Sequence, residues 1–119
     1  MIKLIVFCML FSFSAFANWQ VEVALGVDGQ TWKIQNAKFE DGKETTLLIS
    51  NYILKMTIKK SKIEKAIEVS YTVQEKKGDK IILLNKGEDM LEDRPANDIF
   101  AKGEPNQPNS IITLKMKPL

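Results

Sequence analysis

Between Ala66 and Val73 the chain reads Ala-Ile-Glu-Val-Ser-Tyr-Thr-Val, so Ile67, Val69, Tyr71 and Val73 alternate strictly with Glu68, Ser70 and Thr72. A period of two places the four apolar side chains on one side of an extended backbone, and their β-branched and aromatic shapes suit a pleated, half-buried surface. The fold must therefore supply a core for that face. Similar but less regular stretches lie on both sides of this segment, as strands laid beside it would.

Trp19 to Val27 repeats the pattern with Trp19, Val21, Val23, Leu25 and Val27, and the Asp28-Gly29 pair that follows tolerates the positive φ of a two-residue hairpin turn. Thr31 to Phe39 then returns antiparallel with Trp32 and Ile34 inward, and the slip of apolar phase to Ala37 and Phe39 predicts a bulge near Gln35-Asn36. After a turn at Glu40 to Lys43, Thr45, Leu47 and Ile49 alternate. Beyond Ser50-Asn51 the phase moves to Tyr52, Leu54, Met56 and Ile58, which fits two short strands or one strand bent by a bulge. Ser61-x-x-Glu64 has the form of a capping box, and Ile63, Ala66 and Ile67 share a helical face, so a helix of one or two turns is allowed near 61–66.

Glu75 to Asp79 reads as a hairpin with Gly78 in the left-handed region. Lys80-Ile-Ile-Leu-Leu-Asn85 is apolar on both faces and is expected to be a strand covered on both sides, or covered by the connection that comes after it. Ser110 to Lys117 is the last strand, with Ile112, Leu114 and Met116 on one face. Seven strand signals separated by turns, with no helix long enough to cross over, argue against a parallel sheet. They predict an all-β fold, an antiparallel β-sandwich of about seven strands or a small flattened β-barrel.

The first residues point to export. Lys3 precedes the apolar run Leu4 to Phe13, and Ser14-Ala15-Phe16-Ala17 carries small residues where a signal peptidase reads, so residues 1–17 are expected to be a cleaved signal peptide and 18–119 a single β-domain, periplasmic or secreted. The apolar run is shorter than the about 20 residues that span a bilayer, and no later segment in the mature chain is apolar enough to be transmembrane. The only cysteine, Cys8, falls inside the signal. A mature domain without cysteine has no disulfides, which favours a bacterial envelope over an animal extracellular space.

With Lys3 gone, 16 basic residues face 15 acidic ones, and this balance gives no case for nucleic acid. The charges are nonetheless segregated. Ten lysines between Lys43 and Lys86 outnumber five acidic residues, whereas Glu88, Asp89, Glu92, Asp93, Asp98 and Glu104 outnumber Arg94 and Lys102 further on.

That acidic stretch belongs to the connection expected at 86–109, which holds Pro95, Pro105 and Pro108 together with Met90, Leu91, Ile99 and Phe100. Long connections are uncommon in compact domains and are often functional, and the apolar residues suggest one tethered over the sheet. Its acidic residues offer hard oxygen ligands of the kind Ca²⁺ prefers, but their spacing does not match a twelve-residue calcium loop, so no metal is assigned.

Catalytic residue types are scarce. The chain has no histidine and its mature part no cysteine, which excludes Ser-His-Asp and Cys-His arrangements and the usual zinc ligand sets. Ser61 beside Lys60 and Lys62, and Ser70, remain as serines that a lysine could activate, although such residues on turns are ordinarily solvated. No phosphate-binding glycine loop is present, and no cofactor is called for. The basic turn Lys59-Lys60-Ser61-Lys62 could meet anionic headgroups or polysaccharide, but lacks the interleaved aromatics that single-stranded nucleic acid needs.

These features predict a non-catalytic binding domain for a protein or cell-envelope component. Recognition would use the 86–109 connection, with Asp89, Glu92, Asp93, Arg94, Asp98 and Phe100 as candidate contacts, or a sheet edge. The alternative is a small barrel carrying an apolar ligand.

Overall fold

The computed structural model describes residues 17–63 and 65–118; the expected signal peptide, apart from Ala17, and Glu64 of the capping box lie outside them. Eight strands follow one another: β1 (Ala17–Val27), β2 (Gln30–Glu40), β3 (Glu44–Ile49), β4 (Tyr52–Lys60), β5 (Ala66–Lys77), β6 (Lys80–Glu92), β7 (Ala96–Ala101) and β8 (Ser110–Pro118). They form two four-stranded antiparallel sheets, ordered β2-β1-β8-β7 and β3-β4-β5-β6. The chain enters the second sheet after Asp41 to Lys43 and returns to the first after Asp93 to Pro95. Neither passage continues a ladder, so the molecule is a sandwich with two seams rather than a closed barrel.

The turns obey the local chemistry. Asp28 and Gly29 both have positive φ, 52° and 76°, as a two-residue hairpin matching the strand twist requires. Val21 pairs with Ala37 but Val23 with Ile34, which puts the expected bulge at 35–36; Ile34, expected inward, has a side chain outside the described set. Ser50 takes φ 54° and Ile49 faces Tyr52 across a tight turn, so the phase change there marks two strands.

The core lies between the sheets. From β5 it receives Ile67, Val69, Tyr71 and Val73, the row expected to need one. Facing them are Val21, Val23 and Leu25 of β1, Phe39 of β2, and Ile112 and Leu114 of β8, all buried. Trp19 is also buried; Trp32 is half-buried and lies 5.1 Å from Tyr52, ring centroid to centroid, where the two sheets meet at one end.

Three expectations differ from the structure. Among the described residues of 61–66 no helix forms. β4 and β5 stay paired as far as Lys60 and Ile67, leaving room only for a turn in which Ser61 N–H donates to Ala66 O (3.1 Å) and Ile63 N–H donates to Ser61 Oγ (3.1 Å). Ile63 is 60% exposed, so a helical face would have had nothing to bury against.

Lys80 to Asn85 is not covered on both sides, and the connection that follows reaches it only at its end, where Gly103 bridges to Asn85 and Glu104 N–H donates to Leu84 O. β6 is an edge strand, Ile81 is exposed, and Leu84 and Asn85 are both buried because the register shifts between Val73–Asn85 and Gln74–Leu83, leaving Leu84 as the extra residue of a bulge. The consecutive apolar residues record that bulge.

The stretch 86–109 is not a loop. Residues 86–92 continue β6, and 96–101 form β7, an eighth strand. Only the corner at 93–95 and the stretch 102–109 are irregular, and the latter is tied to β6 by an isolated bridge between Asn85 and Gly103.

Candidate functional site

The six candidate residues lie along the seam where the second sheet ends at β6 and the first ends at β7. Asp89 sits on β6, in register with Val69, so it occupies an inward position of an edge strand and stays exposed where the sandwich opens. Glu92 ends β6, and Asp93 and Arg94 make the corner. Asp98 and Phe100 stand on the outer face of β7. The fold thus brings Glu92, Asp93 and Arg94 together, leaves Asp89 three residues earlier on β6, and turns Asp98 and Phe100, which belong to the other sheet, outward. Among the described residues no three acidic side chains converge on one point.

Two buried asparagines, which the sequence reading did not single out, brace this seam at its ends. Asn97 donates through Nδ2 to Glu92 O (3.0 Å) and accepts from Arg94 Nε (3.1 Å), which fixes the corner. Asp93 N–H donates to Lys65 O (2.8 Å) and Met116 N–H to Pro95 O (2.8 Å), so the corner is held by both sheets. Arg94 also lies 3.6 Å from Glu92, but both side chains are well exposed and such a pair contributes little. At the other end, Asn85 Nδ2 donates to Leu84 O (2.8 Å) and Pro108 O (3.1 Å), and Ser110 Oγ donates to Asn85 Oδ1. Gly103 N–H donates to Asn109 Oδ1 (2.7 Å) and Glu104 N–H to Leu84 O (2.7 Å). A Cβ at Gly103 would come within 2.2 Å of Gln107 O, so the loop closes only with glycine there.

Between these braces no ladder joins β6 to β7. β7 is paired with β8 on one side and presents its other edge unpaired. On its outer face Phe100 lies opposite Ile111 in register, and the two are 75% and 45% exposed. The next position in that row is Gly26, which has no side chain to cover them. One step along, Thr113 Oγ1 donates to Asp98 Oδ1 (2.8 Å). An exposed aromatic beside an exposed isoleucine at an open strand edge can take up an extended backbone and one apolar side chain.

The serines considered for catalysis are placed otherwise. Ser61 Oγ accepts a backbone N–H in its turn, and Ser70 lines a hollow on the outer face of the second sheet with Thr57, Glu68 and Glu88. The three hollows described on the surface lie on outer faces or at their rims, and the apolar residues on which a carrier would draw are packed between the sheets.

Tyr71 and Tyr52 both titrate above the ordinary phenol value of 10.0, mainly because burial disfavours the phenolate; Asp89 adds to this at Tyr71, and Glu75 and Asp28 at Tyr52. In each case the folded state holds its proton where the unfolded chain would release it. Stability is therefore fully present below pH 10 and is lost as pH rises toward the folded-state values. Tyr71→Phe and Tyr52→Phe should each flatten this alkaline decline in a series of urea titrations; an equally steep decline in both variants would show that other groups cause it.

No protein-family profile matches this chain, and neither a curated protein nor a solved structure matches it. Among the described residues no helix is long and apolar enough to cross a membrane.

Proposed function

We propose that this chain is an exported, non-catalytic β-domain that binds a protein of the cell envelope by accepting an extended segment along the free edge of β7. The observation that carries the reading is Phe100, 75% exposed on an edge strand that has a ladder on one side only. Edge strands without a protecting lysine, proline or cover are templates for pairing. In β7 the sequence is Ala-Asn-Asp-Ile-Phe-Ala, with neither lysine nor proline. Backbone hydrogen bonds would supply affinity, and the Phe100–Ile111 pair would select an apolar side chain on the incoming strand. Asp98 and the acidic corner favour a segment with flanking positive charge. The signal-like first seventeen residues support the compartment, and the lack of histidine and mature cysteine supports the non-catalytic reading.

The double substitution Phe100→Asp, Ile111→Asp tests this. The two side chains are exposed but face each other across β7 and β8, so loss of the apolar pair and the opposed carboxylates should lower the unfolding free energy by about 1 kcal/mol, which a urea titration of the variant checks. Wild-type protein used as bait in an envelope extract should retain a partner that the variant loses. Retention of the same proteins by both, or of none by wild type, would contradict the proposal.

A further inference from the structure

The outer face of the second sheet carries a different surface at the end formed by the β3–β4 and β5–β6 turns. Leu48, Ile53, Gln74 and Leu83 form one row in register across all four strands. Toward the β5–β6 turn, Lys76 pairs with Ile81. In the other direction the next row is Thr46, Lys55, Thr72 and Lys86. Their neighbours along the strands, Leu47, Ile49, Leu54 and Val73, are buried in the core, so all ten residues face outward.

Four of the ten are large and aliphatic, with Leu48 72% and Ile81 57% exposed. Three are lysines and none is acidic. At the turn Lys77 and Lys80 are balanced by Glu75, 3.8 Å from Lys77, and by Asp79, so the positive charge of this face comes from Lys55, Lys76 and Lys86. The first acidic residues along this face, Glu44 and Glu88, stand one row beyond the Lys55–Lys86 row. No ion pair engages Lys55, Lys76 or Lys86 among the described residues.

We infer that this face docks on an anionic phospholipid surface. Aliphatic side chains that protrude from a lysine-bearing sheet can enter the headgroup boundary while the lysine stems lie alongside and their ammonium groups meet phosphate. A second copy fits poorly, because two identical faces would set lysine against lysine. Leu48 and Ile81 stand exposed, and Ile53 and Leu83 are half-buried, so two side chains project from a flatter apolar row. A fluid bilayer accepts such a surface without matching its contour. The face is on the opposite sheet from Phe100, so both surfaces can be occupied together.

Sedimentation with vesicles tests the inference. The protein should pellet with mixed phosphatidylglycerol–phosphatidylcholine vesicles and remain in solution with phosphatidylcholine alone, and added salt should weaken binding. Lys76→Glu with Lys86→Glu should reduce the partition coefficient about tenfold or more, and Leu48→Asn with Ile81→Asn should do so at unchanged charge. Phe100→Asp, on the other sheet, should bind vesicles as wild type does. Equal partition onto neutral and anionic vesicles, no partition at all, or variants that bind like wild type would overturn the inference. Retention on a polyglutamate support without vesicle binding would overturn it too, assigning the face to an acidic protein.

Discussion

Tyr71→Ala is expected to lower the free energy of unfolding by about 3–5 kcal/mol, seen as a lower urea midpoint with an unchanged slope. The ring is buried between the sheets and lies across Gly87, its register partner on β6. A Cβ at Gly87 would stand 2.6 Å from the Tyr71 hydroxyl oxygen and 2.9 Å from Cζ, so that glycine is what allows the aromatic to reach over an edge strand. Alanine at 71 leaves a cavity that the neighbouring β-structure can fill only in part. Small domains are typically stable by about 5–15 kcal/mol, so the variant should be close to unfolding at room temperature. Tyr71→Phe keeps the ring and should retain most of the stability. A loss below about 1 kcal/mol for the alanine variant would show that the ring is not part of the core.

Asn85→Ala is expected to cost about 3 kcal/mol, because Asn85 pins the 102–109 loop and the first residue of β8 to β6. Its removal takes the partner from Ser110 Oγ, which is 2% exposed, and from Pro108 O, while Leu84 O keeps the N–H of Glu104. The orphaned, buried Ser110 hydroxyl costs about 1–3 kcal/mol, and the partly buried Pro108 carbonyl adds less. The loss should be accompanied by faster amide exchange through 103–109 than in wild type. Unchanged exchange there would place the cost in packing alone.

These two residues also mark where the sequence was and was not legible. The Ile67–Val73 alternation located the central row of the core because each of its inward positions is apolar, and Asp28-Gly29 named its turn because both residues had to accept positive φ. β7 escaped because one of its three inward positions is Asn97, a polar residue buried by hydrogen bonds to the corner, which breaks the apolar alternation by which a strand is recognised. The second half of β6 escaped for a related reason. Its inward positions include Gly87 and Asp89, one left small for Tyr71 and the other exposed at the seam.

Of the six candidate contacts, Phe100 carries the binding proposal, because a strand edge rather than a loop presents it. A register-level signal was present all the same. Asn97, Ile99 and Ala101 lie inward while Asp98 and Phe100 lie outward, a period of two that the prolines on either side obscured. The apolar-basic face of the second sheet was not legible at all. Leu48, Ile53, Ile81 and Leu83 come from three strands and meet only through the cross-strand register.

The proposal separates a scaffold built around β5 from a recognition edge at β7, and hydrogen–deuterium exchange of the complex with the recovered partner tests that separation most directly. Peptides covering 96–101 and 110–113 should gain protection on binding, while those covering 66–77 exchange as slowly as before. Protection confined to other edges, or to the 61–65 turn, with β7 unchanged would contradict the account.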